Sequence, residues 1–247
     1  MDSTVNDNAA SRLCGILHKF QAVQVRDTDT AMDAWKLALD APSPSELFAR
    51  LAEFSALVES LREHIRSLPE EDGPDFLLMG LEPLDGLIER FTRLGSSPKK
   101  AHDAVIKPAL LQALNVCATM LRRQQTSVTI SDSDLRDLLD DVQKWLVTVA
   151  DDDNLSSHDK IFILQRLRDI EAALLGFFLG GFEKLETAVS ALAGAALTCE
   201  SARERTFLDK VAGFWEKVVS VAQGSATISK SASEAATAIA ALSDTVK

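Results

Sequence analysis

Histidine and aspartate stand side by side twice in this chain, at His102-Asp103 and His158-Asp159. Imidazole and carboxylate are ordinary ligands of a divalent metal that activates water, so two such doublets could build a hydrolytic centre on neighbouring helices. That chemistry needs further ligands converging on the same ion. Only His18 and His64 remain, and neither has a recognisable ligand partner beside it. Each doublet also falls near an expected helix start, where aspartate is favoured for its capping oxygen alone. A metal-dependent hydrolase is therefore the second alternative, and no catalytic, cofactor-binding or metal-ligating residue is assigned.

Carboxylates are concentrated further along. Eight aspartates lie between Asp132 and Asp153 against only Arg136 and Lys144, a local charge of −6 in a chain whose net charge is −11. A calcium loop would present oxygen ligands at alternate positions with a central glycine and a terminal glutamate. Here Asp151 and Asp153 are followed by Leu155, so the loop fails at its third ligand. Asp137, Asp140, Asp141, Asp151, Asp152 and Asp153 are instead a candidate acidic patch, a solvated surface that could dock a basic partner. The same charge repels phosphate. The basic pairs Lys99-Lys100 and Arg122-Arg123 lack interleaved aromatics, so no nucleic-acid partner is expected. No glycine-rich phosphate loop, CxxC pair, GxSxG elbow or HExxH is present. Cys14, Cys117 and Cys199 are widely spaced within apolar helical patterns, which reads as three buried thiols in a reducing compartment.

The elements that must position these groups are helices. Tyrosine is absent, glycine (11) and proline (7) are scarce, and alanine and leucine abound over 247 residues. All prolines lie between Pro42 and Pro108, so the first half is broken into short pieces and the second can run in long helices. Helices are expected over Ala9 to Val25 and Thr30 to Leu39. A third starts at Ser43-Pro44-Ser45-Glu46, where Ser43 caps the helix and Glu46 reaches back to the cap. From there Leu47, Leu51, Phe54, Val58, Leu61, Ile65 and Leu68 form a heptad seam, widened by Phe48 and Leu57. Pro69 to Pro74 reads as a solvated turn. Helix resumes from about Pro83 to Leu94 and again from Ala109 to Arg123.

Gln124 to Ile130 is the one β-prone stretch and reads as the connection between two halves, too short for a sheet. Ser131 or Ser133 then caps a helix through Ala150, and Ser156 opens the next. Its seam of Ile163, Leu167, Ile170, Leu174 and Phe177 slips by one residue at Gly180-Gly181, which predicts a kink or tight helix–helix turn. The last helices cover roughly Arg203 to Ala222 and Ser225 to Val246.

Two stretches invite a use beyond packing. Gly176-Phe177-Phe178-Leu179-Gly180 is a GxxxG element, and Ala172 to Phe182 with Thr187 to Cys199 makes two charge-free segments in hairpin order. The longest charge-free apolar run is far below the roughly 20 residues that span a bilayer, so only conditional insertion fits a membrane role. The C-terminal segment carries a weak stripe of Ile228, Ala232, Ala235, Ile239, Leu242 and Val246, which contributes burial only if it packs closely against something.

The expected architecture is all-α, a multi-helix bundle of about nine or ten helices in two halves. Residues 1–123 form an N-terminal bundle, and 124–247 form a C-terminal bundle ending in the small-residue helix. The expected function is non-enzymatic: a soluble, cytoplasmic bundle acting through protein–protein contacts, with self-association into a homo-oligomer. The polar, acidic Met1 to Ala9 stretch, unlike a secretory signal, points the same way. Candidate contact residues are Phe54, Val58, Leu61 and Ile65 on the first seam, Gly176, Phe178, Gly180 and Phe182 in the hairpin, and Ile228, Ile239 and Leu242 in the tail. The first alternative is a conditional membrane-acting effector, toxin-like or defence-related, that uses the 172–199 hairpin.

Overall fold

In a computed structural model the described residues are all-α apart from two three-residue strands. The structure describes residues 4–6, 8–24, 26, 29–95, 106–124, 129–199 and 205–222. The expected tail helix with Ile228, Ile239 and Leu242, and the His102-Asp103 doublet, lie outside the described residues. The chain divides into two compact units. One comprises Asp7–Gln125; the other joins Met1–Asn6 to Thr126–Lys247.

The first unit contains α1 (Ala9–Ala22), α2 (Ala31–Ala38), α3 (Pro44–Arg66), α4 (Pro74–Met79), α5 (Pro83–Arg90) and α6 (Pro108–Gln124). α1 packs against α2, α3 and α6. Its N-cap residue Asn8 is buried and does two jobs. The side-chain oxygen accepts the Ser11 amide at 2.8 Å, and Nδ2 donates to the Ala118 carbonyl of α6 at 3.3 Å. α2 begins with a complete capping box, in which Thr30 and Asp33 satisfy one another's backbone amides. At α3 the Ser43 hydroxyl accepts the Glu46 amide at 3.2 Å and lies 3.0 Å from the Ser45 hydroxyl. Trp35 organises the interior: its ring centroid lies 4.2 Å from Phe20, 5.8 Å from Phe54 and 5.3 Å from Phe91. Arg62 ties α3 to α5, with Nη2 donating to Asp85 at 2.6 Å and Nη1 to Glu59 at 2.8 Å.

The solvated turn expected over Pro69 to Pro74 is shorter and more ordered than its composition suggests. Glu70–Asp72 is a 3₁₀ turn, Gly73 takes a left-handed conformation (φ +65°), and Pro74 starts α4 as its first residue. Another 3₁₀ turn over Phe91–Arg93 extends α5 and brings Phe91 against Trp35.

The second unit contains α7 (Asp132–Ala150), α8 (Ser157–Leu175), α9 (Phe177–Thr198) and α10 (Arg205–Val221). α8 packs on α7 and on α9, and α9 on α10. Trp145 of α7 stacks beside Phe207 and Phe214 of α10, and Lys217 of α10 donates to Asp141 of α7 at 2.5 Å, which closes the four helices around one core. Asp141 and Lys217 lie toward one end and Trp145 and Phe207 toward the other, so α7 and α10 run antiparallel. Ile163, Leu167, Ile170 and Leu174 face inward with Phe182, Leu185, Val189 and Leu192.

Two expectations change here. Gln124 to Ile130 is expected as a plain connection, too short for a sheet; instead Thr129–Ser131 forms β2, paired antiparallel with β1 (Thr4–Asn6) in the register Val5 opposite Ile130. A three-residue strand shows no alternation long enough to recognise, and its partner lies over a hundred residues away. Ser131 also caps α7, its hydroxyl accepting the Asp134 amide at 3.0 Å. The turn expected at Gly180-Gly181 is spread over Gly176 to Gly181. Gly176 separates α8 from α9, and Gly181 inside α9 adopts φ +66°, ψ −168°.

That combination of angles is open essentially to glycine alone. Gly181→Ala should destabilise the second unit by roughly 1–3 kcal/mol in urea unfolding. Gly213→Ala, at a helical position where an added Cβ meets open space, should stabilise it by about 0.5–1 kcal/mol.

Candidate interaction surfaces

The first expected contact surface is core. Phe54, Val58, Leu61 and Ile65 are each fully buried, as are Leu47 and Leu51 beside them. The heptad seam of α3 is satisfied inside its own bundle, against the Trp35 cluster and α1, whereas Phe48, expected to widen it, is 54 % exposed. Periodicity reports that a stripe is buried; it does not report against what.

In the hairpin, Gly176 and Phe182 are buried, whereas Phe178 and Gly180 are half-buried. Phe182 lies 6.2 Å, ring to ring, from Trp215 of α10. The apolar residues of the 172–199 hairpin therefore mostly fill the second unit's core, with Leu175 exposed at the reversal. No described helix is long and apolar enough to cross a membrane.

The acidic patch is divided. Asp137, Asp140, Asp151 and Asp153 are exposed. Asp141 belongs to the fold: besides Lys217 it lies 3.7 Å from Lys144. Asp152 closes the turn after α7, its carboxylate accepting the Asn154 amide at 2.9 Å. Lys160 caps the same helix by donating to the Ala150 carbonyl at 3.0 Å. The aspartates of α7's first turn meet the positive end of the helix dipole.

His158 is 92 % exposed, with Nδ1 3.6 Å from the carboxylate of Asp159. Among the described residues no group of three or more His, Cys, Asp or Glu side chains is placed to hold a metal ion. Asp159 faces a different neighbour. Cys199, at the end of α9, donates its thiol to that carboxylate, and burial first and the adjacent negative charge second push the thiol up to about 11. Cys117 is also pushed up to about 11 by burial, and Cys14 is raised for the same reason. All three cysteines are buried free thiols, as their apolar surroundings in the sequence suggest.

Sequence reasoning missed the surface that the first unit does expose. Phe76 and Met79 of α4 are 79 % and 66 % exposed, three residues apart on one side of the helix. Met79 continues into an open groove of about 570 Å³ that runs past Gly80, Pro83 and Gly86 to Leu110, with Glu82, Arg90 and Lys107 also lining it. Gly80 allows that approach of α4 to α6, since a Cβ there would stand 3.0 Å from the Ala113 methyl. The available signal was Pro74, a good first helical residue, followed by an apolar run Phe76 to Met79 too short to show a period.

In the second unit a shallower groove of about 520 Å³ lies along α8 and α9. Ala172, Gly180, Thr187, Ala188 and Ala191 line it, and Arg166, Asp169, Glu183 and Lys184 edge it. Arg166 and Asp169 pair at 2.8 Å.

A thiol whose folded pKa exceeds its unfolded value adds stability at neutral pH. That contribution is fully present below pH about 8.5–9 and is lost as pH rises through about 11. Unfolding midpoints should accordingly fall between pH 9 and 11, and Asp159→Asn should make Cys199 alkylate faster at pH 9. An alkylation rate unchanged by Asp159→Asn would show that burial alone holds the thiol protonated. No protein-family model, curated protein or solved structure matches the chain.

Proposed function

We propose that this protein is a non-enzymatic helical bundle that acts through protein–protein contacts and self-associates through the exposed face of α4. One observation carries the reading. Phe76 and Met79 hold their side chains in water beside a groove lined in part by Leu110, although neighbouring Leu77 and Leu81 are fully packed. Aromatic residues and methionine are enriched at interface centres, and burying one such side chain is worth about 1.5–3 kcal/mol. Arg90 and Lys107 line the groove together with Glu82, so this border is of mixed charge in a chain of net charge −11 and repels a second copy less than the acidic surface of α7 would. Three buried free thiols fit a reducing, cytoplasmic setting.

Sedimentation velocity over a wide concentration range tests the proposal. The wild-type chain should show concentration-dependent association, and Phe76→Glu should weaken it at least tenfold while leaving the thermal midpoint within a few degrees. A wild-type chain that stays monomeric throughout, or association indifferent to both Phe76→Glu and Met79→Glu, overturns it.

A further inference from the structure

The groove between α5 and the start of α6 carries unpaired cations at one end and apolar surface along its length. We propose that it binds an amphipathic anion, one negatively charged head group on an unbranched apolar tail of about eight carbons. The inference concerns the floor of the groove and does not rest on self-association through α4.

Charge polarises the site. Glu82, Gly86 and Arg90 recur every four residues and form one row along α5, so Glu82 and Arg90 stand about 12 Å apart at 1.5 Å per residue. The opposite wall is Lys107 with Ala109 and Leu110 of the first turn of α6, whereas the contact of Gly80 with Ala113 lies farther along that helix. Arg90 and Lys107 therefore share the end away from Gly80, and Glu82 lies at the other. Among the described residues neither cationic side chain has an acidic partner, unlike Arg62 of α3, which holds both Asp85 and Glu59. An anion at that end supplies a counter-charge to both, and a guanidinium can grip a carboxylate or phosphate through two parallel donors.

The rest of the lining suits an apolar tail. Pro83, Gly86 and Leu110 separate the cations from Met79, whose exposed thioether side chain marks the far end. Glycine inside a helix costs stability against alanine, yet at Gly86 no neighbouring atom requires it, since a Cβ there meets open space. Its missing side chain leaves the floor of the groove unfilled. A volume of about 570 Å³ is that of a small-ligand site, and the 12 Å row matches a head group followed by about eight extended carbons. Glu82 disfavours a second negative group at the far end, so the tail ends uncharged.

Titration calorimetry on the full-length chain, at a concentration where sedimentation reports a monomer, tests the site with sodium octanoate as the probe. Octanoate should bind saturably. Octan-1-ol, which lacks the charge, and octanedioate, which sets a second carboxylate beside Glu82, should each bind at least tenfold more weakly. Octyl phosphate should compete with octanoate, and the tighter of the two identifies the head group. The double variant Arg90→Gln, Lys107→Gln, changed only at exposed positions, should weaken octanoate at least tenfold while the thermal midpoint stays within a few degrees. Gly86→Leu, which fills the floor, should weaken it as strongly. Absence of saturable octanoate binding in the wild type overturns the inference, as does octan-1-ol binding as tightly as octanoate, or an octanoate affinity unchanged in the double variant. Phe76→Glu, which disrupts the α4 contact, should leave octanoate affinity within twofold. Loss of binding in that variant assigns octanoate to the α4 face and overturns the groove as its site.

Discussion

The second unit depends on one backbone reversal. Between Leu175 and Phe182 the chain ends one 19-residue helix, turns, and starts another that packs along the first. Gly181 makes the turn possible, because its angles are closed to residues with a Cβ. Much follows from that single point. Antiparallel packing of α8 and α9 brings Cys199 at the end of one helix to Asp159 at the start of the other. It sets Phe182 beside Trp215, and it aligns the small side chains of the two helices into a continuous groove. The contrast with the first unit is instructive. There, one long helix, α3, carries the seam, and the aromatic cluster around Trp35 gathers the short, proline-bounded pieces against it.

Helix formation and burial were largely legible in the sequence; partner identity was not. The seam from Leu47 to Ile65 is buried at every step, and so is that from Ile163 to Phe177, because a 3.5-residue apolar period is a direct record of which side faces away from water. The start of α3 at Ser43-Pro44 and of α8 at Ser156 follow from capping chemistry confined to four residues. What periodicity omits is the identity of the opposing surface, and so Phe54, Val58, Leu61 and Ile65 suggested a contact between molecules when they pack within one. Features made by distant residues were equally hidden. The β1–β2 ladder needs Thr4–Asn6 and Thr129–Ser131 together, and three residues on each side carry no pattern of their own. α4 was hidden by brevity, since six residues show less than two helical turns.

The uneven charge acquires a physical account. Part of the −6 between Asp132 and Asp153 is internal to the fold, as Asp141 is held by Lys217 and Lys144, and the first-turn aspartates of α7 face a helix N-terminus. Asp137, Asp140, Asp151 and Asp153 remain exposed, a smaller acidic surface than the sequence count implies. Lys217 also shows why the region tolerates the density. One cation from another helix lowers the local repulsion and at the same time fixes α10 against α7.

Surface chemistry separates the two grooves more sharply than their size. The one beside α4 is lined by Glu82, Arg90 and Lys107 and bordered by Phe76 and Met79, large side chains that gain most from leaving water. Such a face can hold a separate molecule, because each buried side chain contributes enough to offset part of the lost freedom of two bodies. The groove along α8 and α9 offers only methyls, a hydroxyl and balanced charge. Contacts of that kind are individually weak, so this groove offers a separate molecule far less than the α4 face does, because the lost freedom of two bodies must be offset by large side chains leaving water.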